Sequence, residues 1–330
     1  MTDILQIDGV SKAFTQPLDL AAKTANLLGA KNREVRVEAV DHVNLSIRKG
    51  EVLGVVGESG CGKSTLGRMV AGIHSPSGGD IIWKGKTYSQ MNGSEKKAYI
   101  LAVQMIFQDP YSSLNPRKKV IQAISEAPIA HGLVQSSERD EFTVKTLERV
   151  GLDPSLRNRY PHQFSGGQRQ RIGIARALAV NPEFLVCDES IAALDVSIQA
   201  QIINLFLDLR EELDLTYMFI SHDLSVVRHI SDRVAIMYLG RVVELASAKD
   251  IFADANHPYS QALLAEAPQI TEGHRTFHPI KGEVPSAINP PSGCHFHPRC
   301  PHTTARCKTD KPELKEIAPG RYSACHLNAA

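Results

Sequence analysis

The chain has 330 residues, of which 42% are apolar, and its 37 lysines and arginines are nearly balanced by 36 aspartates and glutamates. This length suffices for a substantial core in one large domain or two smaller ones. Balanced charge gives no global field that would recruit nucleic acid or an anionic membrane surface. No stretch reaches the 18 or so apolar residues of a membrane helix and no signal peptide is recognisable, so we expect a cytosolic chain.

The first part of the chain predicts two strands and then a strand, loop and helix unit. Residues 4–14 are typical of a short strand and turn, and the alternating residues 43–47 predict a second strand after a polar insertion. An apolar run at 51–56 enters a glycine-rich loop. Apolar residues at helical spacing then predict a helix over 64–73.

Two later runs, 184–188 and 216–221, are continuously apolar, as are strands covered by helices on both faces. They predict a parallel α/β core. Residues from about 111 to 161 are largely helical in pattern, with Pro and Gly at the edges, and after about residue 256 Pro, His and Cys become more frequent. We therefore predict a core of residues 1–255, interrupted by a helical subdomain at about 111–165, and a small C-terminal module of residues 256–330.

The motif Gly57-x-x-x-x-Gly62-Lys63-Ser64 has the context of a phosphate-binding loop, between a predicted strand and a predicted helix. Glycines let backbone amides surround phosphate oxygens, and the helix presents its positive end to the anion. Lys63 is expected to bridge the β- and γ-phosphates, and Ser64 to bind Mg²⁺. The alternative is a glycine turn beside a surface lysine. The residues expected to hold the nucleotide are Gly57, Glu58, Ser59, Gly60, Cys61, Gly62, Lys63, Ser64 and Thr65.

An acidic pair, Asp188-Glu189, ends the predicted strand 184–188. Asp188 is placed to hold Mg²⁺ through water, and Glu189 to orient and polarise the water that attacks the γ-phosphate. Alone, such a pair is often a solvated turn. With the phosphate-binding loop it predicts an enzyme that hydrolyses MgATP, whereas the loop by itself would also fit a kinase or a GTPase.

The segment Ser165-Gly166-Gly167-Gln168 precedes a run with helical periodicity, which makes it suited to a second anion site. A turn before an amphipathic helix is the alternative. Because it lies between the other two motifs, the segment resembles the signature of the ABC ATPase family. That resemblance implies an α/β fold of the P-loop NTPase (RecA-like) type with a helical subdomain. It also implies ATP sandwiched between two subunits, with the signature of one facing the γ-phosphate held by the other.

Other positions match the family residue by residue. Gln108 resembles the glutamine that senses Mg²⁺ and water, and His222 the switch histidine at the γ-phosphate; with Glu189 they are the implied catalytic residues. Asp195, in Ala-Leu-Asp, resembles the segment that crosses the dimer interface. Phe14 aligns with the aromatic residue that stacks on adenine. A structural histidine and a core-capping phenylalanine are the alternatives for His222 and Phe14.

Residues 188–195 depart from the family's usual Asp-Glu-Pro-Thr-Ser-Ala-Leu-Asp. Ser190 and Ile191 replace Pro and Thr, while both carboxylates are kept. The change relaxes φ and removes a hydroxyl that the resemblance places near the subunit interface. We therefore expect the hydrolysis rate or the coupling between subunits to differ from that of relatives.

Residues 256–264 and 293–301 resemble the oligopeptide and dipeptide branch of ABC importers. The branch implies a second ATPase subunit, identical or not, two transmembrane permease subunits and an external solute-binding protein, without nucleic acid. It also implies a peripheral position on the cytoplasmic face of the inner (plasma) membrane. The cargo stays open, because relatives carry peptides, nickel, glutathione, opines or sugars. Rival functions are a soluble ABC ATPase of DNA repair or the ribosome, which usually has a long coiled coil or paired halves, and a small-molecule kinase, which leaves Ser165 and His222 unexplained.

Four of the six cysteines fall within the last 37 residues, whereas Cys61 and Cys187 are isolated. In a reducing compartment such a cluster indicates metal ligation more than disulfides. Four thiolates can hold Zn²⁺ or a 4Fe-4S cluster, and the spacing lacks paired C-x-x-C hooks. The branch resemblance favours the 4Fe-4S cluster; zinc, unligated thiols and disulfides stay open. The predicted ligands are Cys294, Cys300, Cys307 and Cys325.

Overall fold

The computed structural model describes residues 2–18, 24, 26, 34–109, 113–192, 194–266 and 282–328. These residues form two β-sheets, with helices packed around them. The strands are β1 (Asp3–Gln16), β2 (Val35–Arg48), β3 (Val52–Val56), β4 (Gly78–Trp83), β5 (Lys86–Thr87), β6 (Val103–Ile106), β7 (Phe184–Asp188), β8 (Thr216–Ile220), β9 (Arg233–Tyr238), β10 (Arg241–Ser247), β11 (Lys315–Ala318) and β12 (Arg321–Ser323).

The helices vary from one turn to five turns in length. They are α1 (Lys63–Val70), α2 (Gly93–Ala102), α3 (Val120–Ala130), α4 (Arg139–Arg149), α5 (Gly166–Leu178), α6 (Val196–Leu213), α7 (Leu224–Ile230), α8 (Ala248–Ala253), α9 (Pro258–Glu266) and α10 (Ala305–Thr309). None of them, within the described part of the chain, has both the length and the apolar character needed to span a bilayer.

The larger sheet has the strand order β11-β12-β10-β9-β3-β8-β7-β6, and the smaller has the order β2-β1-β4-β5. Neighbours from β9 through β3, β8 and β7 to β6 run parallel, as the apolar runs predicted. The strand pairs of the smaller sheet are antiparallel. Parallel strands place all their carboxyl ends at one edge of the sheet, and this edge carries the candidate site.

The central strand β3 is buried on both faces. Successive side chains point to opposite sides of the sheet, so they enter two different core clusters. Val52 and Val56 join a core cluster that also includes the helical subdomain, whereas Leu53 and Val55 join a second cluster beneath the smaller sheet and α1. All four are fully buried. Each such side chain stabilises the fold by about 1.5–3 kcal/mol, so the strand leading into the glycine-rich loop is firmly held.

The predicted helical subdomain is present as α3 and α4, followed by short 3₁₀ turns, and leads into α5. Val120, Ile124 and Leu147 anchor it to the larger core cluster. Residues 110–112, where the prediction began, lie outside the described residues, as does most of the polar insertion between β1 and β2.

The C-terminal residues are joined to the core through the sheet itself. β12 pairs antiparallel with β10, and β11 pairs with β12, so two strands from beyond residue 255 extend the larger sheet. The boundary between residues 255 and 256 stays a prediction, but the sheet crosses it.

Candidate active site

Residues 57–64, called the phosphate loop below, comprise the turn between β3 and α1 and the first two residues of α1. The backbone φ of Gly62 is 104°, and a Cβ there would lie 2.1 Å from the carbonyl oxygen of Ala39. A Cβ at Gly57 would lie 2.2 Å from the carbonyl oxygen of Met237. Side chains do not tolerate such distances to backbone atoms, so only glycine fits at either position.

Lys63 folds back over the phosphate loop. Its ammonium group donates hydrogen bonds to the carbonyl oxygens of Gly57 at 2.8 Å and Glu58 at 3.0 Å, and the residue is 4% exposed. The positive charge is therefore held beside the loop, where phosphate oxygens would be stronger acceptors than carbonyls. Of the other predicted residues, Ser59 and Gly60 are exposed, Cys61 is buried, and Thr65 is half-buried in the first turn of α1.

A hydroxyl and a carboxylate meet at the start of α1. Ser64 Oγ donates a hydrogen bond to Asp188 Oδ1 at 2.6 Å, and Asp188, the last residue of β7, is 2% exposed. Burial raises the pKa of Asp188, and the hydrogen bond from Ser64 acts in the opposite direction. Both oxygens are of the kind that Mg²⁺ prefers, and a bound cation would offset the cost of burying the carboxylate. This pair could hold the Mg²⁺ of MgATP.

Three side chains from separate parts of the sequence meet beyond the ends of β6, β7 and β8. Glu189 Oε2 accepts a hydrogen bond from Gln108 Nε2 at 2.8 Å and lies 3.3 Å from His222 Nδ1. Glu189 has a φ of 45°, which is strained for a residue with a side chain. A fixed carboxylate between an amide donor and an imidazole can orient a water molecule and accept its proton.

Ser165 is the N-cap of α5. Its hydroxyl accepts a hydrogen bond from the backbone N–H of Gln168 at 3.3 Å, and the Gln168 side chain accepts one from the Ser165 N–H at 3.1 Å, which completes a capping box. A Cβ at Gly167 would lie 2.6 Å from Ile198 Cγ2, so glycine at this position lets α5 and α6 pack closely against each other. Gly166 is half-buried and Ser165 is exposed, which leaves the positive end of α5 open to an external anion.

This arrangement is that of a nucleotide-hydrolysing cassette, and comparison with known proteins agrees. Residues 40–192 match the model of the ABC transporter family, and residues 243–307 match that of the C-terminal region of oligopeptide/dipeptide transporters. The oligopeptide transport ATP-binding protein AppF of Bacillus subtilis (strain 168) is 52% identical, over 88% of this chain and 90% of its own. This chain belongs to the ATP-binding proteins of ABC transporters, in their oligopeptide/dipeptide branch. The dipeptide transport ATP-binding protein DppF of Haemophilus influenzae is 46% identical, over 98% of this chain and 96% of its own.

Solved structures of cassettes share the fold. The ATP-binding cassette MJ0796, in a dimeric post-hydrolysis state bound to ADP and Pi, matches with a TM-score of 0.62 and 26% identity, over 74% of this chain and 98% of its own. CbiO1 from Clostridium perfringens, part of the cbiONQ complex, matches with a TM-score of 0.61 and 27% identity, over 76% of this chain and 91% of its own. The P-loop NTPase fold is confirmed, and the chain is an ABC ATPase.

Two residues predicted to meet adenine or a second subunit lie on the surface of this ABC ATPase. Phe14 is 41% exposed, and its ring makes an edge contact with His74, with centroids 5.7 Å apart. The Lys12 ammonium group lies over the same ring, 5.2 Å from its centroid. Asp195, the exposed N-cap of α6, makes no capping hydrogen bond through its side chain. Ala193, in the same predicted segment, lies outside the described residues.

The unusual Ser190 and Ile191 are both buried, at 2% and 3% exposure. Ile191 packs in the larger core cluster, and the Ser190 hydroxyl is a buried polar atom without a hydrogen-bond partner among the described residues. Position 191 therefore contributes to packing rather than to an exposed surface. This burial gives no support to the expectation that a hydroxyl lost at 191 alters the subunit interface.

The four tail cysteines are gathered in the C-terminal module as free thiols. Burial raises the pKa of Cys294 to about 11, and the thiols of Cys307, Cys300 and Cys325 add to this effect. Within the described ranges, however, no three His, Cys, Asp or Glu side chains are arranged to hold a metal ion. The thiols are neighbours but do not form a ligand set, so the predicted 4Fe-4S or zinc site finds no support in this arrangement.

The structure also shows contacts on the phosphate loop that no sequence pattern predicts. Arg299 forms an ion pair with Glu58, and the Tyr259 hydroxyl accepts a hydrogen bond from the Glu58 backbone N–H. In the sequence, Glu58 itself indicates that a cation lies nearby, because a carboxylate within an anion-binding loop needs one. The sequence does not indicate which cation it is.

Proposed function

We propose that this ABC ATPase powers the import of oligopeptides or dipeptides. The relatives AppF and DppF are named for oligopeptide and dipeptide transport, and each resembles the chain over most of its length. The observation that carries the hydrolytic part of the proposal is the position of Glu189. It is held between Gln108 and His222, directly after Asp188 at the same edge of the sheet as the phosphate loop.

MgATP binding is assigned to the residues around the phosphate loop. Lys63 would exchange its carbonyl acceptors for the β- and γ-phosphate oxygens, and Ser64 and Asp188 would hold Mg²⁺. Phe14 would stack on adenine. Because Lys63 is already held beside the loop, little reorganisation of its side chain is needed when the triphosphate binds.

Hydrolysis is assigned to Glu189. The oxygen of a water molecule attacks the γ-phosphorus, Glu189 accepts the water proton, and the β–γ bridging oxygen leaves with ADP. Gln108 and His222 orient the carboxylate, and His222, whose side chain is 54% exposed, can move to contact the γ-phosphate. The strained φ of Glu189 keeps the carboxylate aimed beyond the end of the strand.

The signature segment Ser165–Gln168 is assigned to the γ-phosphate held by a second ATPase subunit, identical or paralogous. The two subunits then close around ATP and reopen after hydrolysis. This closure shifts two permease subunits between two accessibilities, because ATP binds the closed state more tightly. A solute-binding protein outside the membrane delivers the cargo, and the ATPase lies peripherally on the cytoplasmic face of the inner membrane.

Co-purification tests the transporter assembly. The tagged chain is isolated from detergent-solubilised membranes of its own cells. We expect two multi-spanning proteins to accompany it. A chain recovered with ribosomes or DNA and without such proteins would instead favour the soluble ABC ATPase function.

The cargo is tested in proteoliposomes that contain the whole transporter and its solute-binding protein. We expect di- and oligopeptides to raise ATP hydrolysis and to enter the lumen. Stimulation by nickel or a sugar, but not by peptides, would contradict the peptide assignment.

A metal cluster at the four tail cysteines stays a prediction of the branch resemblance, and no step above passes through it. Cys294, Cys300, Cys307 and Cys325 lie in one small module, but among the described residues their thiols are not in ligand positions. Iron and acid-labile sulfide measured on anaerobically purified protein would support the 4Fe-4S cluster. Colourless protein with stoichiometric zinc would support Zn²⁺ instead.

A further inference from the structure

The C-terminal module contacts the phosphate loop at Glu58. The two terminal nitrogens of Arg299 donate parallel hydrogen bonds to the two carboxylate oxygens of Glu58, at 2.8 and 2.9 Å. The side chain of Arg299 is 5% exposed and that of Glu58 is 21% exposed. A bidentate pair shielded in this way is stronger and more directional than a surface ion pair.

A second contact holds the backbone of the same residue. The Glu58 N–H donates to the Tyr259 hydroxyl at 3.0 Å. Tyr259 is fully buried, and its ring packs on Tyr238 and Phe296, with centroids 4.6 and 5.4 Å away. Arg299 also contacts this ring cluster, because its guanidinium lies 5.9 Å from the centroid of Tyr238. Residues from beyond position 255 therefore fix both the main chain and the side chain of Glu58.

The charge of Glu58 makes this contact relevant to ATP. A free carboxylate in a loop that holds a triphosphate would repel it. Among the described residues, the Glu58 carboxylate forms its ion pair with Arg299, whereas Lys63 donates to the backbone carbonyl of Glu58. An unscreened unit charge about 10 Å from another changes a binding constant by about tenfold at the effective dielectric of a protein surface.

We propose that Arg299 is a positioning residue for ATP, which neutralises Glu58 and holds the phosphate loop in its binding conformation. The C-terminal module thereby sets the nucleotide affinity of the core. This inference rests on the proposed role of the phosphate loop. A change that moves Arg299 away from Glu58 weakens ATP binding even though every residue of the loop is intact.

The test is a double-mutant cycle on the full chain, with the dissociation constant of ATP measured in Mg²⁺ by equilibrium binding. Arg299→Met removes the charge at nearly constant length and is expected to weaken ATP binding by about tenfold. Adding Glu58→Gln to Arg299→Met removes the uncompensated carboxylate and is expected to restore most of the affinity. Arg299→Lys keeps the charge but loses the bidentate geometry of the guanidinium, so its loss of ATP affinity should be smaller than that of Arg299→Met.

Arg306→Met is the matched control, because Arg306 belongs to the same module but pairs with Asp310 at the surface. It should bind ATP like the unaltered chain. The proposal is wrong if Arg299→Met stays within twofold of the unaltered chain. It is equally wrong if the double variant binds as weakly as Arg299→Met, since the effect would then come from a disrupted module rather than from Glu58. Unchanged affinity in Lys63→Ala would instead overturn the assignment of the phosphate loop.

Discussion

Acid is expected to destabilise the fold through one buried histidine. His257 is 1% exposed, and its Nδ1 accepts a hydrogen bond from the Tyr259 N–H at 3.1 Å. Burial lowers the pKa of His257 from 6.5 to about 4, although a hydrogen bond to the Ala324 backbone partly opposes this shift. The Glu244 carboxylate accepts hydrogen bonds from the backbone N–H groups of Asn256 and His257. The folded chain therefore keeps the imidazole neutral.

The sign and size of the effect follow from these values. Below pH 6.5 the unfolded chain binds a proton at His257, whereas the folded chain does so only near pH 4. The fold therefore loses stability as the pH falls through this window. Above about pH 7 His257 is neutral in both states, so it causes no loss of stability there. The full difference corresponds to about 3 kcal/mol, and about 2 kcal/mol of it is lost by pH 5.

Urea unfolding followed by the fluorescence of Trp83, the one tryptophan, measures this loss. The comparison is between the unaltered chain and His257→Asn, whose amide oxygen can accept the same N–H but does not titrate. Between pH 7 and pH 5 the unaltered chain should lose about 2 kcal/mol more than the variant. Identical pH dependence in the two chains would refute the account, whatever their absolute stabilities.

Two further substitutions separate function from folding. Ser165→Ala should cost about 1 kcal/mol of stability through loss of an N-cap and should also lower ATP turnover. Asn92→Ala, which removes the capping box of α2, should cost a similar amount without affecting turnover, and equal turnover in both variants would refute the assigned role of Ser165. Gly62→Ala should abolish ATP binding, because its Cβ would clash with a carbonyl oxygen. Gly132→Ala is the control, because Gly132 also has a positive φ, of 72°, but a Cβ there would meet no atom within 4 Å. It should cost only about 1–2 kcal/mol of stability. If Gly62→Ala still bound ATP, the phosphate loop would tolerate a side chain and the reasoning would be wrong.

The parts of the site that a contiguous motif encodes could be predicted from the sequence. The phosphate loop is one such motif, because its glycines, Lys63 and Ser64 stand at fixed spacing in one short segment. Strands β3, β7 and β8 were predictable for the same reason, because burial on both faces leaves an unbroken apolar run. Gln108 and His222 were different. Neither has a local pattern that reveals its role, and only the family resemblance placed them with Glu189.

The remaining features depend on residues that are distant in sequence. Arg299 and Glu58 are 241 positions apart, and no periodicity links them. The strands β10 to β12 were missed because short antiparallel strands carry a weak pattern, and their pairing is decided by the sheet edge they meet. The cysteine cluster differs again, because its metal stays a prediction. Proximity in sequence predicted proximity in space, but not the side-chain geometry that a metal requires.

The central claim is that Glu189 activates the water that hydrolyses ATP. In Glu189→Gln, the full transporter should bind ATP as before while its turnover falls by at least about a hundredfold, because the amide cannot accept the proton. Glu183→Gln is the control, since Glu183 lies just before β7 and pairs with Lys84 at the surface; it should turn over ATP normally. Single-turnover hydrolysis of radiolabelled ATP by both variants is the direct measurement. Normal turnover in Glu189→Gln would contradict the account.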